Sequence, residues 1–248
     1  MADDEGPDGH SDFHRPDSPR SDFLKSDLGV RTVSAVVMVA LAGIALWLGG
    51  PVWMAFVGAV AIAALWEWRA LVRGFVRGPG GQAGWLAAGV LYIGFACAVL
   101  LVFRQIDVAH ALLPVLVTVA TDTGAYFTGR ALGGPKIAPA VSPSKTWSGL
   151  LGGMTAAGAA TGWWADRFAD AGEGAVISFA AGFAAGAILA VLAQAGDFLE
   201  SWMKRRAGVK DSGNLIPGHG GVLDRVDGLL AVTAACGAIW IVMVLRAG

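Results

Sequence analysis

The chain has 248 residues, 55% of them hydrophobic, and a mean hydropathy of +0.60, which excludes an ordinary soluble domain and points to several membrane spans. Eighteen basic and 19 acidic residues leave a net charge of −1, so no global positive field exists to hold nucleic acid. The only two cysteines, Cys97 and Cys236, each sit inside an apolar run and exclude a disulfide framework.

Residues 1–28 are rich in Asp, Ser, Pro and Gly and cannot bury enough apolar surface to offset the entropy of ordering. They read as a disordered tail, and the first apolar run begins too late for a secretory signal. The remainder, 29–248, reads as one transmembrane domain. Seven apolar runs follow in which about 20 residues suffice to cross a bilayer. They are Thr32–Leu48, Val52–Leu71, Trp85–Phe103, Val108–Phe127, Trp147–Trp164, Val176–Ala195 and Val222–Leu245. The expected fold is therefore all-α, a polytopic helical bundle. Placing the N-terminus in the cytoplasm puts 15 of the 18 basic residues on that side and leaves only Arg104, Arg167 and Arg246 opposite, as the positive-inside rule requires. Small residues at four-residue spacing, such as Gly182 and Gly186, read as helix-packing faces.

Three polar stretches fall on the cytoplasmic side of this arrangement. The first, Ala120–Arg130 (ATDTGAYFTGR), sets Asp122 near the end of the fourth span, where an acid is costly unless paired or bound to metal. The second, Ala140–Gly149 (AVSPSKTWSG), offers Ser142, Ser144, Lys145 and Thr146 at a helix start. Free N–H groups and the helix dipole suit an anion there, although capping alone explains such residues equally well. The third runs from Gln194 to Asp227. Asp197, Glu200 and Ser201 share a helical face that Lys204 continues, and Asp224 and Asp227 open the last span. Asp197, Asp224 and Asp227 together would form an oxygen-rich cage for a hard cation such as Mg²⁺. Against this stands a plainer role for Asp224 and Asp227, complementing a helix N-terminus for roughly 0.3–1 kcal/mol each. Within the 27 residues of Ser201–Asp227 (SWMKRRAGVKDSGNLIPGHGGVLDRVD), charges and glycines crowd together as they do nowhere else in the chain. Cations suggest a polyanionic substrate, and glycines beside His219 suggest backbone that approaches a ligand closely.

These residues resemble a known family. Ser201, Lys204, Arg205, Lys210, Asp211, Gly213, Pro217, Gly218, His219, Gly220, Gly221, Asp224, Arg225 and Asp227 stand as in the signature of phosphatidate cytidylyltransferases, and ATDTGAYFTGR, SPSKTWSG and QAGDFLES are similar to further motifs of that family. The resemblance covers about residues 118–230, and departs from the pattern at Ser148, where the family usually carries an acid. It implies transfer of CMP from CTP to phosphatidic acid at the inner membrane of a bacterium, with pyrophosphate as second product and the catalytic site facing the cytoplasm. It also implies Mg²⁺, with K⁺ or a second Mg²⁺ beside it, and a homodimer. On that basis Asp197, Asp224 and Asp227 are expected to bind metal, and Lys204, Arg205, Lys210 and Arg225 to hold phosphates. Asp211 joins the catalytic set, and His219 is expected to donate to the leaving group. Gly218, Gly220 and Gly221 would offer backbone N–H groups, with Ser142, Lys145, Thr146 and Ser201 completing the substrate pocket and Asp122 supporting the metal. Transfer of a terminal phosphoryl group, as by a lipid kinase using CTP, is the nearest alternative. An ion-coupled transporter is disfavoured because the acids cluster at one interface and no internal repeat is visible.

Overall fold

The computed structural model describes residues 20–168 and 178–247. Within the described residues seven helices follow one another as α1 (Arg20–Leu48), α2 (Gly50–Phe75), α3 (Pro79–Ile106), α4 (Val108–Leu132), α5 (Trp147–Phe168), α6 (Phe179–Ala207) and α7 (Leu223–Ala247). Six of them are long and apolar enough to cross a membrane; α5, a continuous helix rich in glycine and alanine, falls outside that group. The protein is an all-α polytopic membrane protein. Of the tail expected over 1–28, residues 1–19 lie outside the described residues, and the rest forms the opening turns of α1.

Local chemistry explains most helix ends. Pro51 and Pro79 enter α2 and α3 in the first turn, where a missing N–H costs nothing. Asp107 caps α4 by accepting from the His110 N–H at 2.9 Å, and Ser178 caps α6 by accepting from Ala181 N–H at 3.3 Å. Gly208, at φ +72°, ends α6 in the left-handed conformation that spares glycine a Cβ clash. At the opposite end of the bundle Arg104 of α3 donates to the carbonyls of Leu46 at 2.7 Å and Trp47 at 3.2 Å, closing the end of α1.

Two apolar clusters form the core. One joins α2, α3 and the ends of α6 and α7 through Trp68, Val72, Ile93, Met203 and Leu223; the other joins α3 to α7 through Phe103, Val117, Ala157, Leu189 and Val232. Helices α4, α5 and α6 approach at backbone distance. A Cβ on Gly124 would lie 2.6 Å from the Gly152 carbonyl oxygen, and one on Gly182 would lie 2.9 Å from that of Thr161. The packing expected of the small-residue faces is thereby present.

Two departures from the expected elements matter for the site. Helix α6 runs to Ala207, three turns past the apolar run, so Asp197, Glu200, Ser201 and Lys204 ride on a rigid helix. Before α5 the chain forms a small antiparallel hairpin, β1 (Lys136–Ala138) and β2 (Ser142–Thr146), with Lys136 opposite Thr146. Strands of three and five residues, Lys-Ile-Ala and Ser-Pro-Ser-Lys-Thr, carry too little alternation to announce themselves.

Candidate active site

The three polar stretches meet at one end of the bundle. Between α4, the hairpin, the start of α5 and α6 lies a cleft of about 440 Å³. Asp122, Tyr126 and Arg130 line it from α4, Lys136, Ser144, Lys145 and Thr146 from the hairpin, and Asp197 from α6. Of the residues expected to bind substrate, Asp122, Lys145 and Thr146 are therefore brought together. Ser142 is not among them: it is buried in the hairpin opposite Ala138.

Lys145 and Asp197 form an ion pair across the cleft, and the Lys145 ammonium sits 4.8 Å from the centre of the Phe198 ring. Asp197 also accepts from the Ser201 hydroxyl at 3.2 Å and lies within electrostatic range of both Asp122 and Asp227. Lys145 is felt by the same two acids. One ammonium thus stands among three carboxylates. Thr146 has a local task as well, capping α5 by accepting from Gly149 N–H at 3.1 Å. Ser148 donates to the Gly133 carbonyl, so the residue that replaces the family's usual acid is used to close the hairpin's base.

Beside the cleft the signature residues form a second, buried network. Lys204 is held at 2.6 Å by both Glu200 Oε2 and Asp224 Oδ1. Asp224 Oδ2 accepts from the Ser212 N–H at 2.9 Å, the Ser212 hydroxyl at 3.0 Å and the Gly221 N–H at 2.8 Å. Asp224 thus has both oxygens engaged by protein donors, and among the described residues no three His, Cys, Asp or Glu side chains gather as a metal-ligand group. Lys204 is paired with two buried acids. Buried charge must be paired where it stands, and here the pairing is internal.

The remaining signature residues are distributed around this network. Arg205 donates to the Val141 carbonyl at 3.3 Å and ties the hairpin to α6. Arg225 donates through Nε and Nη2 to the His219 carbonyl at 3.2 and 2.7 Å. Lys210 and Asp211 are exposed on the turn after α6. Gly218 and Gly220 adopt φ of +74° and +83°, which favours glycine. The N–H of Gly221, expected to reach substrate, instead points inward to Asp224.

Glu67 of α2 has the largest part that the sequence did not disclose. It is 1% exposed, and its carboxylate accepts from the N–H groups of Val222 at 3.0 Å and Leu223 at 2.7 Å; the Ser212 hydroxyl lies 3.0 Å from both Glu67 Oε2 and Asp224 Oδ2 and has one proton to share between them. It caps α7 from another helix, satisfying donors that the helix cannot. The available signal was an acid near the end of an apolar span, which calls for a partner without naming one. Its contacts also explain a glycine: a Cβ on Gly221 would stand 2.7 Å from Glu67 Cδ. Gly221→Ala should therefore lower stability by about 1–3 kcal/mol through overpacking, read as thermal unfolding in detergent. Gly58→Ala, on α2 with open space around it, should leave the midpoint unchanged within error.

The cleft thus sets Arg130, Lys136 and Lys145 among interleaved carboxylates at one end of a multi-span helical bundle. The sequence model of the cytidylyltransferase family matches residues 76–244, and this chain belongs to that family. Phosphatidate cytidylyltransferase of Brucella suis is 48% identical over 155 residues, which are 61% of this chain and 55% of that protein. The proteins of the same name from Rickettsia bellii and Haemophilus influenzae are each 32% identical, over 84% and 81% of this chain and 89% and 94% of their own lengths. The match therefore spans about half the length of the Brucella relative and most of the length of the other two.

Proposed function

We propose that this chain transfers CMP from CTP to phosphatidic acid, giving CDP-diacylglycerol and pyrophosphate. The observation that carries the reading is the cleft in which Lys145 and Asp197 face one another, with Arg130 and Lys136 on its wall, in a chain of the cytidylyltransferase family. A phosphate oxygen of the lipid attacks the α-phosphorus of CTP, the bond from that phosphorus to the bridging oxygen breaks, and pyrophosphate leaves with the electron pair. The attacking oxygen is already anionic, so no strong base is required. The barrier is electrostatic, because two polyanions must meet while charge grows on the leaving group.

Lys145, Arg130 and Lys136 neutralise that charge from fixed positions in the cleft. Arg205, which donates to Val141 of the hairpin, and the exposed Lys210 add further positive charge at and just after the polar end of α6. Asp197 and Asp227 are the carboxylates suited to Mg²⁺, an ion that commonly takes one or two carboxylates and completes its shell with phosphates and water. Among the described residues the Asp227 carboxylate accepts through Oδ1 from the adjacent Gly228 N–H at 2.8 Å, and Oδ2 is the oxygen suited to a cation. Bound there, the ion would supply further charge neutralisation to the phosphates. His219 hydrogen-bonds to the departing phosphate. The basic residues that gather at this end of the bundle support a cytoplasmic face for the site by the positive-inside rule.

Purified protein with phosphatidic acid, radiolabelled CTP and Mg²⁺ is expected to form CDP-lipid and pyrophosphate in equal amounts, and to stop on addition of chelator. Phosphorylated lipid together with CDP would instead move the chain to phosphoryl transfer.

A further inference from the structure

The loop bearing His219 rests against α1, a helix that precedes the part of the chain matched by the family model. A Cβ on Gly218 would lie 3.0 Å from Arg31 Cγ, so loop and helix are in direct contact. The backbone of His219 is gripped on both sides: its N–H donates to the Ile216 carbonyl at 3.0 Å, and its carbonyl accepts from Arg225. The ring is held by a residue of α1. Ser34 Oγ lies 2.9 Å from His219 Nδ1, and both side chains are half-buried.

The same hydroxyl lies 2.8 Å from the Val30 carbonyl, 3.1 Å from that of Arg31 and 3.0 Å from that of Pro217. A serine hydroxyl has one proton and two lone pairs, whereas a carbonyl can only accept. If the proton were given to Nδ1, Oγ would face three carbonyl oxygens with no hydrogen between any of them. If it goes to a carbonyl, a lone pair remains to accept from the ring. We propose that Ser34 is a positioning residue for His219: it accepts the Nδ1–H and holds the imidazole in the tautomer whose basic atom is Nε2. A neutral imidazole has one donor and one acceptor nitrogen, and the partner of the first decides the chemistry of the second. The ring then offers Nε2 to take up a proton and present it to a phosphate oxygen, with no rotation or tautomer exchange in the cycle.

This inference rests on the placing of His219 among the substrate-facing groups, and the two can fail separately. Protein labelled with ¹⁵N-histidine in nanodiscs carries four histidines, and His219→Asn identifies the signals of His219. At a pH where the ring is neutral, the protein should show a protonated Nδ1 and a bare Nε2. Ser34→Ala should move the population toward Nε2–H, and Ser34→Thr, which keeps the hydroxyl, should restore it. An Nε2–H tautomer in the unmodified protein, or an Nδ1–H tautomer unchanged in Ser34→Ala, overturns the proposal. In turnover, Ser34→Ala should lower kcat by about tenfold, the scale of losing an orienting partner to an imidazole, with KM for CTP kept within about twofold. In a His219→Ala background the same substitution should cost nothing more; an equal loss there would show that Ser34 acts independently and would also overturn it. Absence of CDP-lipid from the unmodified protein strikes the activity reading, and the tautomer measurement then decides this one alone.

Discussion

Asp197→Ala is expected to reduce CDP-lipid formation by at least about a hundredfold to a thousandfold while leaving the protein folded in the membrane. The magnitude is that of removing one preorganised electrostatic partner from a water-poor site. Folding should survive because Asp197 itself is 35% exposed in the cleft and Lys145, when it loses this partner, keeps Asp122 and Asp227 within electrostatic range. Its function is different in scale. Asp197 is the carboxylate that faces Lys145 and lies in range of Asp122 and Asp227, so its loss alters every charge the substrate would meet. Lys145→Ala should be similarly damaging, and the double variant no worse than the poorer single one, since the pair acts as a unit. Near-normal turnover of Asp197→Ala, measured with radiolabelled CTP, would remove this cleft as the seat of the chemistry.

Lys204→Met should act in the opposite sense, on stability more than on substrate contact. The lysine side chain is 14% exposed, and its two partners, Glu200 and Asp224, are 4% and 6% exposed. Taking away the ammonium that pairs with both leaves two acids facing one another out of water. Breaking a buried pair in this way costs about 3–5 kcal/mol, far above the cost of losing the same pair at a surface. A large fall in the thermal midpoint is therefore expected. The test is the combination Glu200→Gln with Lys204→Met, which removes one charge of each sign and should recover part of the loss. If the double variant is as unstable as Lys204→Met alone, the destabilisation has another origin. The outcome also bears on function, because Asp224 is held in the same network that orders Ser212 and Gly221.

The network shows where reading by pattern stops. Asp197, Glu200, Ser201 and Lys204 could be placed on one helical face from spacing alone, and the structure has them there, on an α6 that extends to Ala207. The alternative for Asp224, that it serves the start of the last helix rather than a metal, was open from its position. In the structure its partners are Ser212, Gly221 and Lys204, none of which spacing could rank, while the N–H of Leu223 goes to Glu67. The partners of Glu67 and Ser34 were out of reach. Glu67 meets Ser212 across 145 positions and Ser34 meets His219 across 185. Contacts of that separation leave no periodic trace. They depend on how helices with interchangeable apolar faces pack.

The membrane helices, the polar end of the bundle and the family signature were all determined by the sequence itself, because hydrocarbon admits few structures and a dense run of charges has few places to go. What only the tertiary structure decided was the partner of each charge. A carboxylate becomes a helix cap, a lysine's counter-ion or a ligand for substrate according to the donors that surround it. Asp197 opens to a cleft, Asp224 is enclosed by protein donors and Glu67 is sealed beneath α7. The residue type is the same or nearly so in all three; the low-dielectric surroundings that give each its role are assembled only when the helices meet.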